Sequence, residues 1–271
     1  MELQLFQDNA HSIPSRDDIW NWYHNVQLEL AAKYLDASQQ AYLSAYYNEA
    51  GLLHKWRRSF FRRHYAEPFW QALTFLLDSK HQPLILDLGC GTGTQSLAFA
   101  LCGASVVALD LDTNALSVLE RRKQFYEEKT GKTLNITTCA ADVFDFDLSQ
   151  IPPIDGLYSL FAFNLMQPTA ALLGRLAPRF ASQARIAVQD GNRLSWLSHL
   201  PGRRRQVLSP LELDQMLTGL EFTQVTLEGG VSIPPPAWAV LPYDWLSIVD
   251  STFNQTCFWP ISYFAMYQGK R

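Results

Sequence analysis

Between about residues 83 and 190 the chain alternates short apolar runs with stretches in which apolar residues recur at helical spacing. The runs PLILDLG (83–89) and ASVVALD (104–110) are almost continuously apolar, and GTQSLAFALCG (93–103) between them has the pattern of a helix. A strand that is apolar on both faces is typical of a parallel sheet covered by helices on both sides. The pattern therefore predicts an α/β fold in which strands and helices alternate along the chain.

The segment before this alternation has a different pattern. It contains no proline between Pro14 and Pro68, and its Leu, Ala, Gln and Tyr residues follow helical spacing over residues 17–79. Asp17 or Asp18 is expected to cap the first of these helices. The pattern thus predicts a helical segment ahead of the sheet.

The two patterns divide the chain into an N-terminal helical extension, residues 1–79, and a main domain, residues 80–271. The main domain includes a proline- and tryptophan-rich connection at about residues 228–257, which is too long for a simple hairpin. Long connections are more often lids or substrate walls than idle loops, and an ordinary packed insertion is the alternative.

Composition narrows the class of protein. Apolar residues make up 48% of the chain and charged residues 18%, which is typical of a folded globular protein, and the net charge of −4 gives no reason to expect nucleic-acid binding. The four cysteines form no C-x-x-C pair, so neither a metal site nor a disulfide framework is expected: Cys90, Cys102, Cys139 and Cys257. With no signal-peptide pattern and no run of about 18 apolar residues, a cytoplasmic protein is expected.

The first apolar run ends in a glycine turn, with Gly89, Gly91 and Gly93 at alternate positions. A strand that ends in glycines and turns into a helix lets backbone N–H groups approach a ligand. A dinucleotide fold would have a third glycine where this chain has Thr94. Asp87, two residues before the first glycine, would crowd a pyrophosphate, whereas a carboxylate there would suit a ligand with a cationic part. The turn therefore favours a nucleotide-bearing ligand other than NAD.

The stretch LDLGCGTGTQSLAFA resembles the first motif of class I S-adenosylmethionine-dependent methyltransferases. The resemblance implies a Rossmann-like seven-stranded mixed sheet in the order 3-2-1-4-5-7-6, with strand 7 antiparallel and helices on both faces. It also implies S-adenosyl-L-methionine as cofactor and S-adenosyl-L-homocysteine as product. Asp110 would then bind the ribose hydroxyls, Asp142 would accept from the adenine amino group, and Val143 would pack on the adenine ring. The cofactor contacts expected from this resemblance are Asp87, Gly89, Cys90, Gly91, Gly93, Asp110, Leu111, Asp142, Val143 and Asn164.

The acceptor of the methyl group is less constrained by the sequence. A small apolar or amphipathic molecule, methylated at a hydroxyl, carboxyl or amine, is the favoured hypothesis. A protein or peptide substrate and a non-catalytic adenosylmethionine-binding scaffold are the alternatives. NLMQ (164–167) lacks the prolines of adenine-N6 enzymes, which speaks against methylation of DNA. Asp190, Asn192 and His199 follow the fifth predicted strand, but the pattern assigns none of them a catalytic role.

A basic and aromatic stretch, HKWRRSFFRRHYAEPFW (54–70), allows three interpretations. Its aromatic side chains could pack on the sheet domain, the helices could cap the cofactor cleft, or residues 55–63 could contact a membrane surface or a lipid-like acceptor. The arginines of PGRRRQ (201–206) would add to such a surface.

Overall fold

Helices occupy the first part of the chain, and strands and helices alternate after it. The computed structural model describes residues 3, 6, 13–50, 52–53, 58–195, 208–229, 232–233, 235–255, 262 and 264–271. The helical elements before the first strand are α1 (Arg16–Ala31), α2 (Ala37–Ala50), α3 (Arg58–Phe61), a π-helix (Arg62–Ala66) and α4 (Glu67–Leu77). The main elements that follow are β1 (Leu84–Leu88), α5 (Thr94–Leu101), β2 (Ser105–Asp110), α6 (Thr113–Thr130), β3 (Ile136–Ala140), β4 (Ile154–Leu160), α7 (Thr169–Leu176), β5 (Phe180–Gly191), α8 (Pro210–Thr218), β6 (Thr223–Gly229), α9 (Pro235–Val240), α10 (Tyr243–Gln255) and β7 (Phe264–Lys270).

The strands form one sheet in the order β3-β2-β1-β4-β5-β7-β6. Strands β1 to β5 are parallel to one another, whereas β7 is antiparallel to both β5 and β6. This confirms the predicted seven-stranded Rossmann-like sheet. Because the strand order reverses between β1 and β4, a crevice opens at the carboxyl ends of the central strands, where ligands bind in folds of this type.

Alternate residues of the central strands pack into two separate apolar layers. On β1, Ile85 belongs to the layer that contains residues of α1, α4, α5 and α6. Leu86 and Leu88 belong to the opposite layer, with residues of α7 and α8. Since side chains alternate along a strand, Asp87 lies on the same face as Ile85. The strand therefore directs this carboxyl towards α5 and the N-terminal helices.

Local signals determine where several helices begin and end. The Asp112 side chain accepts the backbone N–H groups of Asn114 and Ala115 at the start of α6, and Gly131 ends the helix with φ of 66°. The stretch DTNALSVLERRKQFYEEKTGK (112–132) itself predicts these ends, since Asp is a preferred residue at a helix start and Gly at a helix end. The prediction for α1 was wrong by two or three residues, because Ser15 is the cap and Asp18 completes a capping box with it.

Helices α9 and α10 lie within the connection predicted at about 228–257. Trp238 is 1% exposed, packs with Phe60 and Leu246, and donates its indole N–H to the Ile233 carbonyl at 3.0 Å. Trp245 is 57% exposed. The part of this connection around Trp238 therefore packs on α3, whereas Trp245 is open to solvent.

No helix among the described residues combines the length and the apolar character needed to cross a lipid bilayer.

Candidate active site

The glycine turn after β1 has backbone conformations that favour glycine, with φ of 72°, 53° and 74° at Gly89, Gly91 and Gly93. Two of these glycines also allow close packing. A Cβ atom on Gly89 would lie 2.3 Å from the Ala162 Cβ, and one on Gly93 would lie 2.1 Å from the Leu119 Cδ1. The turn is therefore held between the β4 loop and α6.

The carboxylate of Asp110, the last residue of β2, holds the glycine turn by hydrogen bonding. Its carboxylate accepts the Gly91 N–H at 2.7 Å and the Asp112 N–H at 2.9 Å. Asp112 accepts the Tyr42 hydroxyl at 2.5 Å, and this hydrogen bond lowers the pKa of Asp112. Helix α2 is thus connected through two carboxylates to the turn.

A cavity of about 680 Å³ opens at this edge of the sheet, a size typical of ligand sites. Its walls come from α2, the π-helix and the carboxyl ends of β1 to β4. The predicted cofactor residues that line it are Gly89, Gly91, Asp110, Leu111, Asp142 and Val143. The structure therefore brings six of the ten predicted positions to one cavity.

Asp142 and Val143 reach the cavity from the loop that follows β3. The Asp142 carboxylate accepts the Phe144 N–H at 2.8 Å, which leaves its second oxygen outside that bond. Val143 is 3% exposed, whereas Leu111 at the end of β2 is 69% exposed. A carboxylate oxygen that can accept a hydrogen bond thus lies beside apolar side chains at this end of the cavity.

Asp87, Cys90 and Gly93 are not among the cavity-lining residues. Asp87 lies below the turn, 1% exposed, and accepts the Ser96 hydroxyl at 2.5 Å. Burial raises the pKa of Asp87 to about 7, although the Ser96 hydrogen bond acts in the opposite direction. Burial also raises the pKa of Cys90, which is 5% exposed. In this structure all three positions support the turn from within the core.

Asn164 likewise lies outside the cavity lining, in a buried network behind it. Its backbone N–H and its side-chain amide donate to Asp190 at 2.8 and 2.7 Å, and its side-chain oxygen accepts the Leu208 N–H at 2.7 Å. Burial raises the pKa of Asp190. This amide therefore joins the β4 loop to the end of β5. Asn192 donates to the Ser262 carbonyl at 3.1 Å, and His199 lies outside the described residues.

Four aromatic side chains form one wall of the cavity; sequence reasoning missed the two on α2 and the one after β4, whereas Tyr65 belongs to the 54–70 stretch for which capping of the cleft was one interpretation. Tyr42 and Tyr46 lie one helical turn apart on α2, Tyr65 lies on the π-helix, and Phe161 follows β4 with φ of 55°. The spacing of Tyr42 and Tyr46 was a signal that both lie on one face of a helix. No local signal placed that face over the glycine turn.

A buried ion pair ties the N-terminal helices to the turn. The Arg122 guanidinium donates to the Glu29 carboxylate through Nε at 2.7 Å and Nη2 at 2.9 Å. Its Nη1 donates to the Thr92 carbonyl and to the Thr94 hydroxyl, both at 2.7 Å. The Trp22 indole donates to the Thr94 carbonyl at 3.1 Å. Helix α1 is therefore attached to the same turn that α2 covers.

Part of the basic stretch packs into the protein. Phe60 and Phe61 are 9% and 1% exposed, and Arg62 and Arg63 form ion pairs with Asp17 and Asp250, each at 2.9 Å. These four side chains therefore do not form the basic aromatic face that the membrane-contact hypothesis requires. The hypothesis also involves residues 54–57 and 201–206, and these lie outside the described residues.

No group of three or more His, Cys, Asp or Glu side chains is placed to hold a metal ion in the described ranges.

Residues 85–179 match the family model described as Methyltransferase domain. A curated relative, the cypemycin N-terminal methyltransferase of a Streptomyces species, is 49% identical over 154 residues. The match covers 52% of this chain and 56% of the relative, so the chain spans little more than half of that relative's length.

Solved structures share the fold at low sequence identity. The magnesium protoporphyrin IX methyltransferase of Synechocystis PCC 6803, with bound SAM, is 12% identical with a TM-score of 0.52 and covers 96% of this chain and 99% of its own. The plantazolicin methyltransferase BpumL, in complex with a pentazolic desmethylPZN analog and SAH, is 16% identical with a TM-score of 0.51. The match covers 95% of this chain and 99% of that structure's chain. These likenesses extend the shared fold over nearly the whole chain, including the N-terminal helices.

Proposed function

We propose that this chain, whose residues 85–179 match the family model described as Methyltransferase domain, is a class I S-adenosylmethionine-dependent methyltransferase that transfers a methyl group from S-adenosylmethionine to an acceptor in the same cavity. The observation that carries the proposal is the convergence of Gly91, Asp110 and Asp142 on one cavity at the carboxyl edge of the sheet. Each residue lies at or just after the carboxyl end of a different strand: Gly91 after β1, Asp110 at the end of β2 and Asp142 after β3.

The cavity lining fits the parts of this cofactor. A carboxylate at the end of β2 suits the two ribose hydroxyls, because charge-assisted hydrogen bonds are strong. Gly91 leaves room for a ligand, since a Cβ atom there would lie 3.3 Å from the Tyr46 hydroxyl. The Asp142 carboxylate and Val143 suit the amino group and ring of adenine. Asp110, Gly91, Asp142 and Val143 are therefore the residues proposed to hold the cofactor.

Asp87, Cys90, Gly93 and Asn164 are proposed to support the site from behind the cavity wall. Their hydrogen bonds and packing are directed to protein atoms in this structure: the Ser96 hydroxyl, Leu119 and Asp190 among them. Substituting them should thus alter the turn or the β4 loop before it alters any direct contact.

When bound, S-adenosylmethionine supplies a methyl group on a positively charged sulfur, which is already an activated electrophile. The residues of this chain then align the acceptor for an in-line displacement and exclude water. Tyr42 and Tyr46 of α2 and Tyr65 of the π-helix cover the turn from above. Since the Glu29–Arg122 pair fixes α1 to the turn, we propose that the N-terminal helices are a built-in cover of the site.

A small apolar or amphipathic acceptor is the first candidate. Leu111 and Leu165 line the cavity and are 69% and 54% exposed, so apolar surface at the cavity is open to solvent. Phe144 and Met166 add to the apolar part of the lining. Covering such surface with a ligand is favourable, because burial of apolar area is the main driving force of association.

A peptide acceptor is the second candidate, and the relatives favour it. The curated relative is named an N-terminal methyltransferase of cypemycin, and one structural neighbour is a plantazolicin methyltransferase. An apolar peptide end and an apolar small molecule would present similar surfaces to this cavity.

The test combines binding with transfer. Calorimetry with S-adenosylmethionine, S-adenosylhomocysteine and NAD measures which nucleotide the full chain binds, and the adenosyl compounds alone are expected to bind. Incubation with radiolabelled methyl donor and a cell extract, followed by separation into organic, small aqueous, peptide and protein, and nucleic-acid fractions, then identifies the acceptor class. Label in the organic fraction supports the first candidate and label in peptide supports the second. Failure to bind either adenosyl compound overturns the proposed function, and binding without transfer means either that the extract lacks the acceptor or that the chain is a non-catalytic scaffold.

A further inference from the structure

Three aromatic rings from three different elements line the cavity beside the glycine turn. Tyr46 extends from α2 over Gly91, Tyr65 comes from the π-helix, and Phe161 follows β4. The Tyr65 and Phe161 rings are 5.4 Å apart between centroids at 76°, and Phe61 stacks on Tyr65 at 4.6 Å. The Tyr65 and Phe161 rings are therefore held in place by ring packing, whereas Tyr46 is 43% exposed.

All charged side chains that line the cavity are acidic: Asp110, Asp112 and Asp142. Among the described residues no Lys, Arg or His belongs to the lining. Arg122 and Arg63 are paired with carboxylates outside the lining, Arg122 with Glu29 and Arg63 with Asp250. The cavity thus combines a negative electrostatic potential with the electron-rich faces of aromatic rings.

We propose that the methyl acceptor is an amine that enters the cavity as an ammonium ion and is selected by Tyr46, Tyr65 and Phe161. The inference rests on the proposed function and narrows it from any nitrogen or oxygen nucleophile to this one class. Aromatic faces attract ammonium ions through their quadrupole, and a cavity with acidic walls attracts them over a longer range. The same wall disfavours carboxylate and phosphate acceptors, because like charges repel and the lining offers no cation to pair with them.

An amine acceptor carries a positive charge both when it binds and after it is methylated, and this charge suits the acidic and aromatic lining of the cavity. The ammonium first loses one proton to water, which is accessible near neutral pH for an α-amino group with a pKa of about 7.7–8.0. The free lone pair then forms the bond to the methyl carbon as the carbon–sulfur bond breaks, and the sulfur keeps that electron pair. The positive charge passes from sulfur to nitrogen, so the methylated ammonium product retains a cation beside the rings. The amine can belong to the end of a peptide or to a small amphipathic molecule.

The experiment measures binding to the full chain saturated with S-adenosylhomocysteine, so that no transfer takes place. Three probes share one aromatic body: 3-phenylpropylamine, 3-phenylpropan-1-ol and 3-phenylpropanoate. A hexapeptide of apolar residues is tested with a free and with an acetylated N-terminus. The amine is expected to bind at least tenfold more tightly than the carboxylate and the alcohol. If the free peptide surpasses the small amine, the source is a peptide, and the reverse order indicates a small molecule.

Variants of the rings provide the matched controls. Tyr65→Phe keeps the ring and should keep the preference for the amine, whereas Tyr65→Leu should reduce it severalfold. Tyr46→Leu is the second variant, since Tyr46 is 43% exposed and its replacement leaves the core intact. Circular dichroism and S-adenosylhomocysteine affinity verify that each variant is folded.

Equal affinities for the three probes, no amine binding at millimolar concentration, or an unchanged preference in both leucine variants overturns the inference. The proposed function fails by a different result, which is the loss of S-adenosylhomocysteine binding by the unmodified chain.

Discussion

Replacing Arg122 by methionine should strongly destabilise the protein. The Arg122 and Glu29 side chains are 1% and 0% exposed, and the pair is bidentate. Removing one partner of a buried pair leaves an uncompensated charge and costs about 3–5 kcal/mol. A domain has only about 5–15 kcal/mol of total stability, so Arg122→Met is expected to remove a large part of it.

The pH dependence of this loss follows from the environment of Glu29. Burial would raise its pKa, but the Arg122 guanidinium and the Tyr126 and Tyr34 hydroxyls outweigh that effect and lower it. The pair therefore contributes stability above the unfolded pKa, and this contribution is lost as pH falls through the lower folded pKa. In Arg122→Met the folded pKa of Glu29 is raised instead, so that stability is lost as pH rises. The cost of the substitution should thus shrink as pH falls from 7 towards about 4.5.

Urea unfolding followed by tryptophan fluorescence at pH 7 and pH 5 measures both effects. Lys80→Met is the matched control, because Lys80 is 55% exposed in its 2.8 Å pair with Asp155 and should cost at most about 1 kcal/mol. The affinity for S-adenosylhomocysteine should also fall in Arg122→Met, since Nη1 holds the Thr92 carbonyl and the Thr94 hydroxyl. A loss no greater than that of Lys80→Met, or a loss that does not depend on pH, refutes the reasoning.

Three further predictions concern the turn and the residues around it. Asp110→Ala should weaken S-adenosylmethionine binding by about 1.5–3 kcal/mol, the range for a charged hydrogen-bond partner, and unchanged affinity in calorimetry would contradict the proposed ribose contact. Gly91→Val should abolish binding in the same assay, because φ of 53° is strained for valine and its side chain meets the Tyr46 hydroxyl; normal binding by a folded variant would disprove the assignment. Burial raises the folded pKa of Asp87 to about 7 from an ordinary 3.8, so the contribution of Asp87 to stability should fall as pH rises from about 4 to 7, by up to about 1.4 kcal/mol per pH unit. Because buried His64, whose pKa is lowered to about 3, changes stability in the opposite direction over this window, the test is the difference between the urea-unfolding profiles of the unmodified protein and Asp87→Asn, and parallel profiles would count against a buried, protonated carboxyl.

The glycine turn was found from the sequence because its signal is local. Asp110 and Asp142 were expected at the site from the resemblance to class I methyltransferases. Since parallel strands end at the same edge of a sheet, the order of the strands explains why these residues lie together.

The role of Asp87 shows where local reasoning was insufficient. The sequence indicated a carboxylate close to a cationic ligand, but the alternation of β1 turns this side chain towards Ser96 on α5. A residue in a strand can be assigned to a face only when the neighbouring layers are known. Asn164 is a similar case, because its partner Asp190 comes from β5, 26 residues away.

By itself, the sequence determined the alternation of strands and helices, the glycine turn, the helix capped by Asp112 and the acids at the ends of the strands. These features depend on residues within one turn or one strand, where spacing and backbone preference act directly. Only the tertiary structure decided what covers the turn. Tyr46 and Tyr65 lie over it because the N-terminal helices pack there, and the pair that fixes them joins Glu29 to Arg122 across 93 residues. Contacts over that separation arise from the packing of complete elements, and no pattern within a single element encodes them.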